Sequence, residues 1–298
     1  MKQSVFTGAC TALVTPFLNQ DVNFPLMEQL LRRQIEAGIR AVVLCGTTGE
    51  SPTLSDTEKL AIFQRAKAFA GNNCTLIAGT GSNCTAHAAA LSSAAEQAGA
   101  DALLVVSPYY NKATPEGLYA HYAAIAEAVR IPIILYNVPS RTGVDIPVSV
   151  YRRLSRIPNI AGVKEASSDI TKIQKIIAAC GPDFSVWTGN DDMTTAAIAV
   201  GARGVISVTS NILPAQVKAM ADAALDGDMD TAAALQLKLR ELNEMMFREV
   251  NPIPVKAAMS MIGYDCGACR LPLTPLSEQN RKALETLLSD YRSDISRT

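Results

Sequence analysis

The sequence predicts an α/β fold, a (β/α)8 TIM barrel with a C-terminal helical extension, and three observations carry that prediction. Eight short apolar runs recur over about the first 225 residues, each followed by a stretch with helical spacing, a count and length that suit such a barrel. The runs are continuously apolar rather than alternating, as expected of strands covered on both faces and therefore of a parallel sheet. A doubly wound sheet usually needs fewer strands, and no G-x-G-x-x-G follows the first run.

In chain order the runs are "ACTALVTPF" (9–17), "AVVLCG" (41–46), "TLIAGTG" (75–81), "DALLVVSP" (101–108), "IPIILYNVP" (131–139), "IAGVKEAS" (160–167), "SVWTGND" (185–191) and "GVISVTSN" (204–211). The intervening helices carry start signals. Ser55 to Glu58 reads as a capping box, and Thr114 before Pro115 as an N-cap with proline at the first helical position. Gly38 after "LLRRQIEA" and Gly99 after "SSAAEQA" read as stops. Beyond residue 225 the strand signal ends. "DTAAALQLKLRELNEMMF", "PIPVKAAMSMIG" and "SEQNRKALETLLSDYRS" predict about three further helices. The barrel is therefore expected over 1–225, with 226–298 as an extension packed on it rather than an independent domain.

Composition excludes several function classes. A hydrophobic fraction of 48% with 18% charged residues supplies a large core and argues against disorder. A formal net charge of -1, with no basic stripe, offers nucleic acid or an anionic membrane no electrostatic purchase. No uninterrupted apolar stretch approaches the ~20 residues of a membrane span. "MKQSVFTGAC" also lacks the apolar core of a signal peptide, so a cytoplasmic protein is expected. The seven cysteines are an odd number scattered through core-like segments, as reduced thiols are. Cys266 and Cys269 form a lone C-x-x-C. A zinc site would need a second ligand pair, and the two histidines, His87 and His121, are far away in sequence. Ordinary packing at a helix end is expected there, and no metal.

In a barrel of this kind chemistry sits at the C-terminal ends of the strands. Those ends are polar here: "GTTGES" (46–51), "SPYYN" (107–111), "YNVPSRTG" (136–143), "TGND" (188–191) and "SVTSN" (207–211). The sixth run places Lys164 in apolar surroundings. Side chains alternate along a strand, so Gly162, Lys164 and Ala166 share a face, the small neighbours leaving room for a ligand, and Glu165 points away. A free lysine, with a pKa near ~10.4, is neutral in only about one molecule in a thousand near pH 7. Burial can lower that value by ~3 units and expose a lone pair that attacks ketones to give a Schiff base. A salt-bridged structural lysine is the competing reading.

Tyr136, one strand before, can reach the same centre and shuttle protons, or can plug the barrel mouth. The "GTTGES" turn offers backbone N–H groups and two hydroxyls to an anion, though a helix-entry turn looks the same. Arg141 is a solvated loop charge or a bidentate clamp for a carboxylate. Metal-dependent aldolases hold their cation with histidines or carboxylates. With two distant histidines, the composition favours the lysine route.

These motifs, in this order and spacing, closely resemble the dihydrodipicolinate synthase (4-hydroxy-tetrahydrodipicolinate synthase) family, within the pyruvate-dependent class I aldolase and N-acetylneuraminate lyase superfamily. The resemblance runs over essentially the whole chain. It implies condensation of pyruvate with L-aspartate 4-semialdehyde to 4-hydroxy-tetrahydrodipicolinate, a step of diaminopimelate and lysine biosynthesis, without a cofactor. Lys164 would form the Schiff base, and Tyr136 would move protons. Thr47 and Tyr110 would complete a hydroxyl relay, with Tyr110 entering from a neighbouring subunit. Thr48 and the Thr47–Thr48 backbone would hold the pyruvate carboxylate, and Arg141 the carboxylate of the aldehyde. Ile206 and Gly189 would line the pyruvate pocket. A homotetramer, a dimer of dimers, is implied.

N-acetylneuraminate lyase and keto-deoxy sugar acid aldolases share the lysine and tyrosine, and Arg141 with the paired threonines favours the synthase over them. A non-catalytic barrel would be expected to lack Lys164 or Tyr136. Relatives that bind lysine as an effector use positions corresponding to Ser51, Pro52, Asp56, Lys59, Asn83, His87 and Tyr109. Sensitive members usually carry a glutamate where His87 stands, so inhibition by lysine is expected to be weak or absent.

Overall fold

The computed structural model describes residues 4–295. Its ten strands are β1 (Gly8–Ala12), β2 (Phe17–Leu18), β3 (Asp21–Val22), β4 (Ala41–Leu44), β5 (Thr75–Gly79), β6 (Ala102–Val106), β7 (Ile133–Asn137), β8 (Ile160–Glu165), β9 (Ser185–Thr188) and β10 (Gly204–Ser207). Eight of them close a parallel barrel in the order β1-β10-β9-β8-β7-β6-β5-β4, with β4 pairing back onto β1. The expected (β/α)8 TIM barrel is present, with further helices after it. The β2–β3 pair is a small antiparallel ribbon outside the barrel.

Each barrel strand lies inside one of the eight apolar runs or within a residue of it. The first run proves too long. β1 stops at Ala12, the amide of Val14 is taken by the Asn211 side chain at 3.1 Å, and Phe17 already belongs to the ribbon. Asn211 also donates to the Ala12 carbonyl at 2.8 Å, so this polar residue at the end of the eighth run sews β10 to β1.

Two apolar layers follow from the alternation of side chains along each strand. The barrel interior holds Cys10, Ala12, Val43, Ile77, Leu104, Ile134, Tyr136, Trp187 and Ile206, and the larger outer layer packs strands against helices. Trp187 is fully buried, stacks on Phe6 at 4.8 Å between centroids, and donates its indole N–H to the Phe6 carbonyl at 3.2 Å. This aromatic pair fills the N-terminal end of the barrel, leaving the C-terminal end for chemistry.

The helices begin where the sequence signals. Ser55 and Glu58 form a reciprocal capping box at the start of Asp56–Ala70, and Thr114 caps Pro115–Ala128. Gly38 and Gly99 adopt φ of 86° and 94° just past their helices. After the last barrel helix, Pro214–Leu225, five helices follow among the described residues rather than three: Met229–Lys238, Arg240–Met245, Ile253–Met261, Glu278–Asp290 and Arg292–Ile295. The first expected helix is divided at Leu239, where the helical turn loosens to φ -84°, ψ -4°, and the last at Tyr291. No helix of the described residues is long and apolar enough to cross a membrane.

Candidate active site

Parallel pairing places Tyr136 of β7, Lys164 of β8 and Trp187 of β9 side by side in register. Lys164 points into the barrel, 6% exposed, with its ammonium 4.6 Å from the centroid of the Tyr136 ring. It forms no ion pair among the described residues, so the structural salt-bridge reading has no partner to offer. Glu165 faces the opposite way. Its carboxylate takes Asn137 Nδ2 at 2.8 Å, the Ser167 amide at 3.0 Å and the Tyr151 hydroxyl at 3.2 Å, with Lys172 Nζ at 3.7 Å. Burial pushes the Glu165 carboxyl above its usual range, and Lys172 opposes that shift.

Room beside Lys164 does not come from both small neighbours. A Cβ at Gly162 would lie 2.0 Å from the Ser185 carbonyl oxygen and 2.9 Å from the Trp187 ring, so that side is filled by protein. Gly189 packs closely on the other side: a Cβ on it would stand 2.8 Å from Lys164 Cε and 2.7 Å from Ala166 Cβ, so a side chain there would make its neighbours shift. Ile206 is fully buried within the inner layer.

A cavity of about 720 Å³ opens at this end of the barrel, of a size that suits a small-molecule site. Thr47, Tyr136 and Arg141 line it together with Val250, Asn251 and Pro252 from the chain after the barrel. Thr48 is not part of the wall. It is buried, and its hydroxyl accepts a hydrogen bond from Asn251 Nδ2 at 3.0 Å. Arg141, on the short helix Pro139–Thr142, donates to the Asn251 carbonyl at 3.3 Å. Tyr110 is outside the cavity, 87% exposed, with its backbone in the left-handed region at φ 73°.

The expected effector positions divide. Ser51, Pro52, Asp56, Lys59, His87 and Tyr109 line the outer part of the same cavity, whereas Asn83 is exposed outside it. His87 is occupied at both ring nitrogens, by Asp56 at 2.8 Å and Ser82 at 3.1 Å. Lys59 stands 3.8 Å from Asp56.

Three polar residues here escaped the sequence reading. Glu50, at φ 56°, and Lys256 form an ion pair at 2.8 Å with side chains 1% and 3% exposed. Asn251 is buried, its Oδ1 without a partner among the described residues. A signal for Lys256 was present: "IPVKAAMSM" is a lysine in an apolar stretch, the same anomaly that singled out Lys164. Asn251 carried none.

All seven cysteines are free. Cys266 and Cys269 follow the helix Ile253–Met261 in an irregular segment, and burial pushes both thiols up to about 12, which keeps them protonated near neutral pH.

Against known proteins, the Dihydrodipicolinate synthetase family matches residues 5–291. A 4-hydroxy-tetrahydrodipicolinate synthase of Acetivibrio thermocellus is 45% identical over 291 residues, covering 98% of this chain and 99% of the relative. The solved dihydrodipicolinate synthase of Aquifex aeolicus is 42% identical, with a TM-score of 0.95 over 97% of this chain and 99% of that one. The chloride-inhibited dihydrodipicolinate synthase of Acinetobacter baumannii, solved with pyruvate, is 44% identical, with a TM-score of 0.93 over 95% of this chain and 98% of that one. The family match over residues 5–291, with identity at this level over nearly the full length and on the same fold, shows that the chain belongs to the dihydrodipicolinate synthetase family.

Proposed function

We propose that the chain condenses pyruvate with L-aspartate 4-semialdehyde through a Schiff base on Lys164. The observation that carries this reading is a buried lysine without an ion pair among the described residues, against a tyrosine that lines a cavity together with Thr47 and Arg141. The Lys164 amine adds to the pyruvate ketone and water leaves, giving an imine. Loss of a methyl proton gives the enamine. Its carbon attacks the aldehyde, and the new alkoxide takes a proton. The substrate's own amine then displaces the Lys164 nitrogen, closing the ring and freeing the enzyme. The steps are proton transfers, imine formation and exchange at the pyruvate ketone carbon, and one addition that joins the pyruvate methyl carbon to the aldehyde, and none needs an external oxidant or reductant.

Tyr136 is the group that carries protons at this centre, assisted by the hydroxyls of Thr47 and of Tyr110 from a second copy. The Thr47–Thr48 turn seats the pyruvate carboxylate. Arg141 receives that of the aldehyde, and Gly189 and Ile206 shape the pocket. The exposure of Tyr110 supports an assembly in which it is covered, and we read that assembly as a homotetramer of two dimers in the cytoplasm. Residues 226–298 serve the barrel as an extension.

At the outer cavity, His87 is already engaged by Asp56 and Ser82 and offers lysine's ammonium no carboxylate. Lysine is therefore a weak inhibitor or none, and an inhibition constant below about a millimolar would contradict this.

The decisive test is intact mass after borohydride reduction with pyruvate, on wild type and Lys164→Ala, beside turnover of aspartate semialdehyde. The expected result is a reduced pyruvate adduct and turnover in wild type, with both lost in the variant. An adduct without turnover would assign the Schiff base to a different aldehyde acceptor, as in the sugar-acid aldolases. No adduct would make Lys164 structural.

A further inference from the structure

The Gly46–Ser51 turn carries Thr47 and Thr48, yet little of the barrel holds it in place. Its internal bonds, Gly49 N to Gly46 O at 3.1 Å, Glu50 N to Thr47 O at 3.1 Å and Ser51 N to Gly46 O at 3.2 Å, define its shape but not its position. Two fasteners come from the barrel part of the chain, Thr15 Oγ1 to Gly49 O at 2.7 Å and Thr53 Oγ1 to Glu50 O at 3.1 Å. The other side-chain fasteners come from the chain beyond the barrel: Asn251 to Thr48, Lys256 Nζ to Glu50 Oε1 at 2.8 Å, and the Arg270 amide to Glu50 Oε2 at 2.9 Å.

We propose that Lys256 is a positioning residue for the carboxylate-binding turn, acting through Glu50 to set where the Thr47–Thr48 backbone stands. The proposal rests on the reading that this turn seats the pyruvate carboxylate.

A buried ion pair adds little net stability over apolar side chains of similar volume, because desolvating both charges offsets their attraction. Geometry is what it supplies. The Glu50 carboxylate is held at both oxygens, and the residue sits in a left-handed conformation that an unconstrained glutamate avoids. Glu50 N reports directly to the Thr47 carbonyl, so a displaced carboxylate displaces Thr47. Lys256 is fixed in turn by the Ala268 carbonyl at 3.3 Å and by the Phe17 ring, 4.3 Å from its ammonium. The pair therefore links the helix Ile253–Met261 to the cavity wall, to which Glu50 belongs and Lys256 does not.

The test separates geometry from stability with two variants. Lys256→Met leaves the Glu50 charge buried alone and is expected to lower the thermal midpoint. Lys256→Met with Glu50→Gln removes both charges and is expected to return the midpoint toward wild type. In both, pyruvate KM should rise about 10-fold or more, as misplacement of a binding group costs. Borohydride trapping at saturating pyruvate, kcat and the KM for aspartate semialdehyde should stay within about 2-fold, the pattern of lost ground-state binding. An unchanged pyruvate KM in the double variant would overturn the proposal, and so would a parallel fall of kcat, both KM values and the midpoint. If the double variant does not fold, Glu50→Asp decides, since it keeps the charge but shortens the reach. A raised pyruvate KM supports positioning, and a wild-type KM refutes it. Wild type that traps no pyruvate would instead overturn the underlying reading, and this proposal with it.

Discussion

Lys164 and Lys256 are both buried lysines, and their surroundings assign them opposite duties. Lys256 has a carboxylate at 2.8 Å, and its charge is answered in place. Lys164 has an aromatic face and no ion pair among the described residues, so its amine is left for a ligand. Gly189 protects that arrangement. Gly189→Ala would set a methyl 2.8 Å from Lys164 Cε, forcing the lysine to move. The chain should remain folded while the rate of borohydride-trapped adduct formation falls about 10-fold or more, as expected for a misplaced nucleophile. A wild-type trapping rate in the alanine variant would mean that Lys164 tolerates displacement. The lysine itself was legible in sequence because a cation within an apolar run is anomalous whatever the fold. Its freedom from a partner was not, since partners come from elsewhere in the chain.

At the scale of elements, the helix Asp56–Ala70 shows how one carboxylate serves two levels of structure. Glu58 closes the capping box with Ser55, accepting from its amide at 2.8 Å, and also receives Arg270 from the chain beyond the barrel, at 3.1 Å to Nη1. The Arg270 hydrogen bonds hold the Glu58 carboxyl down to about 2. Its folded value lies below the unfolded ~4.3, so the stabilisation is complete above about pH 4.3 and is lost as pH falls toward 2. Glu58→Gln should flatten the thermal midpoint across that window, and an equally steep acid limb in the variant would place the effect on other carboxylates. The capping box could be read from four consecutive residues. Arg270 could not, because it is 212 positions away.

For the whole molecule, Tyr110 poses the main question of assembly, since it is 87% exposed and outside the cavity of its own chain. If it completes a site across an interface, inactive Lys164→Ala and Tyr110→Phe protomers should complement each other when mixed. Equal mixing should restore roughly a quarter of wild-type activity, because half of randomly formed dimers are mixed and one of their two sites is intact. Mixtures as inactive as their components would confine each site to one chain. By itself the sequence determined the eight-strand barrel, the strand that carries Lys164, the face it shares and the helix starts, all consequences of period, propensity and capping over a few residues. Only the tertiary structure decided that Trp187 fills the space at Gly162, that Thr48 turns to Asn251, and that Glu50 and Lys256 meet inside the protein. Local chemistry sets an element, whereas which residues share a low-dielectric interior depends on how distant elements pack.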